Sequence, residues 1–352
     1  KRLLLVTNLP SPKIKSPNDQ GNPVDFILPP SLEQQTPSAM TSQDIETIVA
    51  KDSLFHESRQ LERRTNLGLE RPQLREFLGK ARFVSLGSYC GVAQALQSLG
   101  FRGAAGPFDW MRTSCEGVNH LIANGFQDFL HLEMPFTRGC GTRVFPTAWG
   151  GSFWHHNLGD KEVRETMFRR NHRFLTASDE NLIFIRAVND TEELRRIPAL
   201  FGTLKWRFPQ SHVRLIVLVD FQDGEREHIM QDMGQDVIFA SVHANVWEKP
   251  LGVHRSHPKY MRIRMELAAD SYAACIARAM HVWTGRRQYA VWPSVESYAA
   301  WAIKFSCPDP KREGFDGQRI FVPKVSAPRV SAAPAKTTSR PRQVRSCCVG
   351  CF

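Results

Sequence analysis

Two runs dominated by Leu, Ile, Val and Phe, Asn181–Val188 and Val213–Val219, stand on either side of a helical stretch, Thr191–Phe208. This pattern constrains the fold more than any other in the chain. Runs so nearly continuous suit strands covered on both faces, not strands with one wet side. A helix between two such strands makes a βαβ crossover, which joins parallel neighbours and is almost always right-handed. An α/β protein with a largely parallel sheet flanked by helices is therefore expected. Val237–Val242 reads as another strand, and Tyr260–Trp283 as a long amphipathic helix. Upstream, Cys115–Asn124 and Asp160–Leu175 read as helices, whereas Leu132–Gly159, aromatic and glycine-rich without a period, reads as loop or hairpin.

The start of the sheet is equally legible. Arg82–Leu86 is a short apolar strand stopped by Gly87-Ser88, after which Val92, Ala93, Ala95, Leu96 and Leu99 recur at helical spacing up to Gly100. Cys90 falls where the strand gives way to the helix. Unpaired N–H groups and the macrodipole at a helix start favour a thiolate. The Gly87-Ser88 turn allows a sharp bend, the N–H groups of Cys90 and Gly91 are candidate oxyanion donors, and a small residue at Gly91 leaves room for substrate. The alternative is a structural cysteine packed at a strand end.

Asp109 lies between Phe108 and Trp110 just after Pro107, a rigid position where a carboxylate needs a cationic partner such as a histidine or Arg112. It could equally cap the helix that begins near Ser114. Late in the domain, His254 and His257 offer bases for a doubly wound hydrolase with Cys90 or Ser88 as nucleophile, His257 being the natural pair.

The run Phe83-Val84-Ser85-Leu86-Gly87-Ser88-Tyr89-Cys90-Gly91-Val92-Ala93, followed by Gly106-Pro107-Phe108-Asp109-Trp110, resembles the paired signature of a family of papain-like cysteine peptidases. Weaker resemblance extends the likeness over roughly residues 80–280. It implies a nucleophile at Cys90, a histidine after it and a carboxylate or amide as orienter, with a papain-like α+β fold as the alternative architecture. The family's aromatic His-Asp pair corresponds here to His156-Asn157, with Asn where Asp is expected. Asn orients an imidazole but does not supply the charge that stabilises imidazolium. His155 competes, since adjacent residues in an extended segment face opposite sides. The reading that results is a peptide or isopeptide hydrolase built on Cys90, His156 and Asn157 or Asp109. Its rivals are a thiol or serine esterase or acyltransferase, and a catalytically silent binding module.

Composition sets the outer limits. The chain has 352 residues, 42% of them hydrophobic, enough for one large core or two modest ones. No apolar run reaches the eighteen residues of a spanning helix, and Leu3–Val6 is too short for a signal peptide. The first residue is Lys1, which fits a fragment or processed product. Residues 1–41, rich in Pro, Ser, Asn and Gln, read as a disordered leader. Residues 42–73 read as a helical extension, and 74–322 as the folded domain. Residues 323–352 read as a disordered basic tail. The net charge of +11 belongs largely to that end: Arg319 to Arg345 holds seven Lys or Arg and no carboxylate.

With Cys347, Cys348 and Cys351, this basic tail suggests S-acylation beside an anionic membrane surface. Each buried CH₂ is worth about 0.8 kcal/mol and each base about 1 kcal/mol there. A solvated tail binding polyanions non-specifically is the plainer reading, and no specific nucleic-acid recognition is indicated. Of the eight cysteines, Cys90, Cys115, Cys140, Cys275 and Cys307 are scattered through the core-forming sequence, which favours a reducing, cytoplasmic setting. No CxxC, HExxH or Walker spacing appears in the domain, so neither a metal nor a nucleotide cofactor is expected. The expected partner is a peptide or acyl substrate.

Overall fold

The computed structural model describes residues 55–137, 143–243 and 260–302, together with short strands at 305–306, 318–321 and 346–347. The expectations for residues 1–54, and those resting on His254, His257, Cys348 and Cys351, fall outside the described residues.

Six strands form the main sheet: β1 (Ala81–Ser85), β6 (Asn181–Val188), β7 (His212–Gln222), β9 (Val237–His243), β8 (Glu227–Met230) and β10 (Ala290–Trp292), in that spatial order. The first four are parallel, from Ala81 opposite Asn181 to Leu215 opposite Val237. β8 runs antiparallel to β9, and β10 parallel to β8. The largely parallel α/β architecture is therefore the one adopted. Its cause is visible in β6 and β7, where nearly every side chain is buried because helices cover both faces. Each fully covered Leu, Ile, Val or Phe contributes roughly 1.5–3 kcal/mol.

On one face α3 (Gly91–Ser98) packs against α7 (Tyr260–Trp283); on the other α4 (Cys115–Ala123) and α8 (Val295–Trp301) pack against α6 (Thr191–Arg207). Short polar residues start these helices. Ser114 Oγ accepts from Gly117 N at 3.0 Å, and Asp190 Oδ1 from Glu192 N at 2.8 Å. α5 (Lys161–Leu175) begins likewise, on Asp160.

The region read as loop or hairpin contributes three strands of a small antiparallel sheet: β3 (Phe136–Thr137), β4 (Arg143–Pro146) and β5 (Gly151–Phe153). The fourth, β2 (Met111–Thr113), pairs with β5.

Two helices precede the sheet: α1 (Glu57–Asn66), inside the stretch read as a helical extension, and α2 (Pro72–Gly79). α1 packs on the domain. Gln60, Arg63 and Arg64 donate to the carbonyls of Gln97, Ser98 and Leu99 at 2.7, 3.0 and 3.0 Å. These are groups that the end of α3 leaves without helical partners. Within the stretch read as an unordered tail, Ser346–Cys347 pairs antiparallel with Gln318–Arg319. Among the described residues no helix is long and apolar enough to cross a membrane.

Candidate functional site

In open parallel sheets the loops at the carboxyl ends of the strands form the ligand crevice. Here the β1 end carries Gly87, Ser88 and Cys90. Gly87 has φ +74° and Ser88 φ +97°. The first value suits glycine; the second is a strained conformation for serine. A Cβ on Gly87 would also lie 2.9 Å from both Phe108 O and Thr113 Oγ1, so the turn has no space for a larger residue. Ser88 is held at every polar atom. Its N–H donates to Thr113 Oγ1 at 3.0 Å, its carbonyl accepts from Thr113 N at 3.1 Å, and its Oγ accepts from the Asn189 carboxamide.

Cys90 precedes α3 with helical backbone angles, and its carbonyl accepts the first helical bond, from Gln94 N at 3.0 Å. The thiol is 1% exposed and not in a disulfide. The room beside Gly91 is occupied by tyrosines: a Cβ there would lie 2.8 Å from the Tyr89 ring and 3.2 Å from the Tyr272 ring. Their hydroxyls hydrogen-bond each other, and Tyr272 donates to the buried Asp220 at the end of β7, 2.9 Å away. Cys115 and Cys275 are buried, and desolvation pushes both thiols up to about 12.

Asp109 sits elsewhere. Its Oδ2 accepts from Arg102 Nε at 2.9 Å and from Gly106 N at 2.8 Å, while Arg102 also donates to Gln97 Oε1 at 3.2 Å. Gln97 is in the last turn of α3, about 10 Å along the axis from Cys90 at 1.5 Å per residue. The cation that balances Asp109 is thus Arg102, and Arg112 lies instead over the Trp154 ring at 5.2 Å. The helix cap considered for Asp109 is made by Ser114.

His156 meets Phe153 edge-on at 6.5 Å. Burial, then the nearby Arg170 charge and His155, lower its pKa to about 4, and its Nδ1 is buried with no hydrogen-bond partner among the described residues. His155 is exposed and packs edge-on to Trp110 at 6.3 Å. Asn157 is exposed, and its Oδ1 accepts from Gly159 N at 3.2 Å, a local turn and not a bond to an imidazole. The structure therefore brings His156 together with Arg170, and Cys90 together with Ser88, Tyr89 and the β6 end.

Sequence reasoning missed Asn189 and Arg186. Arg186 is wholly buried on β6 and donates to Leu86 O at 3.0 Å, Thr113 Oγ1 at 2.6 Å, Thr113 O at 2.8 Å and both Glu193 oxygens at 3.0 Å. A charged residue inside an otherwise apolar strand was the available signal. Asn189-Asp190 at the β6 end offered another, since polar residues there face the crevice. Among the described residues no three His, Cys, Asp or Glu side chains group into a metal site.

Residues 81–150 match the family described as "Putative papain-like cysteine peptidase (DUF1796)". An uncharacterized protein of Acanthamoeba polyphaga mimivirus is 46% identical over 135 residues, covering 30% of this chain and 60% of that protein. The chain thus spans under two thirds of the length of the curated relative it matches. No solved structure matches.

Proposed function

We propose that the chain is a thiol-dependent acyl hydrolase, cleaving peptide, isopeptide or ester bonds at the carboxyl edge of its parallel strands. The observation that supports the reading is the strained Gly87-Ser88 turn at the end of β1, bonded through Ser88 to Asn189 and followed by Cys90 at the start of α3. In the first step the Cys90 thiol gives its proton to a histidine as its sulfur forms a bond to the acyl carbon. The C–N or C–O bond breaks, and the leaving group takes the proton from a histidine. Water then hydrolyses the thioester, its proton passing to the same base. Asn189 donates to Ser88 Oγ in the resting site, and in this reading its carboxamide turns to donate to the developing oxyanion instead.

His257 is the base this reading favours. β9 ends at His243 on the same edge of the sheet as the end of β1, because the two strands run the same way, and His257 follows it in the sequence. His156, with its pKa near 4, is a weak base at neutral pH.

Iodoacetamide labelling across pH, mapped by peptide mass, tests the nucleophile. Cys115 and Cys275 serve as inert internal controls, with thiols near 12. Cys90 is expected to react faster at pH 7 than a simple thiol of pKa about 8.5. Labelling no faster than that removes the basis of the proposal. A His257→Ala variant that labels and turns over like the wild type, beside a dead His156→Ala variant, would return the base to His156.

A further inference from the structure

The region where the Gly106–Trp110 loop meets α5 holds more positive charge than the described residues neutralise. Met167, Arg170, Asn171 and Phe174 follow i, i+3, i+4, i+7 spacing and share one stripe of α5. Phe174 meets Phe108 edge-on at 5.9 Å, and Arg173 donates to Ala105 O at 2.9 Å, which seats this stripe against the loop. From the other side come Arg102, stacked 5.2 Å over Trp110, and the His155-His156 pair, joined to Trp110 through His155.

Among the described residues, the charges acting on Arg170 are the guanidiniums of Arg102 and Arg173 and one carboxylate, Asp109, which is already bonded to Arg102 and Gly106 N. Arg170 is half-buried, yet no carboxylate lies within ion-pair distance of it among the described residues; its recorded hydrogen bond is to Met167 Sδ at 3.9 Å. Beside it, Asn171 is 5% exposed with neither Nδ2 nor Oδ1 partnered, and His156 Nδ1 is buried and unpartnered. Buried polar groups in a finished protein are normally satisfied, so three unsatisfied donors or acceptors around one half-buried cation mark a place made for a ligand.

We propose that this cluster binds a multiply charged oxyanion, a phosphate or phosphoryl group, between Arg170 and Arg102 with Asn171 and His156 as hydrogen-bond partners. An arginine fork matches phosphate oxygens in a bidentate manner, and a surplus of more than one positive charge favours a phosphoryl group over a single carboxylate. The site lies at the Gln97 end of α3, away from Cys90, and stands independently of the acyl-transfer reading.

Titration calorimetry of the whole chain with pyrophosphate tests it. Saturable binding is expected, weakened about tenfold or more in Arg170→Gln, as loss of one charge-assisted hydrogen bond requires. It is expected unchanged when Arg340→Gln, Arg342→Gln and Arg345→Gln are combined to strip charge from the basic end. Equal affinity in Arg170→Gln, or binding lost with the terminal arginines, overturns the proposal. A measurement on the unaltered protein guards against a variant that fails to fold: ¹⁵N-histidine spectra, in which the His156 signal is expected to shift with the same saturation curve. A His156 signal indifferent to pyrophosphate overturns the proposal as well.

Discussion

Arg186 and Arg170 are both withdrawn from water, and they are treated in opposite ways. Arg186, beneath the β1 turn, spends its terminal nitrogens on Glu193, Thr113 and the Leu86 carbonyl. Arg170, beside the Phe108–Trp110 loop, faces two other guanidiniums and one carboxylate that already belongs to Arg102; burial and those neighbours lower its pKa while Asp109 raises it. The difference separates scaffolding from reception. A charge whose partners are all internal fixes geometry, here that of the turn carrying Ser88 and Cys90. A charge left short of partners among the described residues is open to an outside anion that completes it.

The sharpest test of this division is Cys90→Ala, expected to cost about a thousandfold or more in any hydrolysis observed while leaving pyrophosphate affinity unchanged. Loss of both together would merge the two regions into one site. Next in size, Arg186→Met is expected to destabilise by about 3–5 kcal/mol, since it strands Glu193 and buried acceptors. Arg170→Met, by contrast, is expected to stay within about 1 kcal/mol or to stabilise. Urea unfolding of the two variants side by side would show either the asymmetry or its absence. Gly87→Ala should cost about 1–3 kcal/mol through its φ of +74° and its contact with Phe108 O. Ser88→Gly relieves strain but forfeits the Asn189 bond, so its stability should change little while activity falls.

Acid probes the same contrast more gently. His156 and His228 both have pKa values near 4, against 6.5 for the ordinary group, in each case chiefly because burial disfavours the cation. Between those values the unfolded chain binds more protons, so stability should fall as pH drops from about 6.5 to about 4 and be unaffected by these groups above 6.5. His228 Nδ1 accepts from Trp292 Nε1 at 3.1 Å, a bond that protonation removes. His228→Gln and His156→Gln should each flatten that slope, read from urea midpoints at several pH values. Only the His156 share should respond to pyrophosphate. Smallest of all, Asn157→Ala is expected to change stability by under about 0.5 kcal/mol, because the residue is exposed and bonds only Gly159 N. A large loss of activity in that variant would restore Asn157 as an orienter.

What the sequence made legible follows from how locally each element is determined. β6, α6 and β7 announce themselves, because burial on both faces writes a continuous apolar run. β8 does not: Glu-His-Ile-Met reads as polar until Arg278 and Arg287 are seen on Glu227, and Trp292 on His228. Those partners are 51 to 64 residues away. The turn at Gly87-Ser88 and the position of Cys90 were equally plain, since a glycine stop between strand and helix is a local signal. Asn189 was not, because its meaning lies in a bond to Ser88 across 101 residues. Asp109 was read correctly as a carboxylate in need of a cation, though the cation is Arg102, seven residues back, rather than Arg112.

The clasp of Gln60, Arg63 and Arg64 on the end of α3 bears on where this protein can be cut. A chain begun at Leu74 keeps every strand of the sheet yet uncovers three carbonyls at one end of the helix whose other end presents Cys90. Such a truncation would release α3 to fray toward its thiol, and expression of the minimal domain would then yield a folded sheet with a slackened nucleophile. A useful recombinant boundary lies upstream of Glu57.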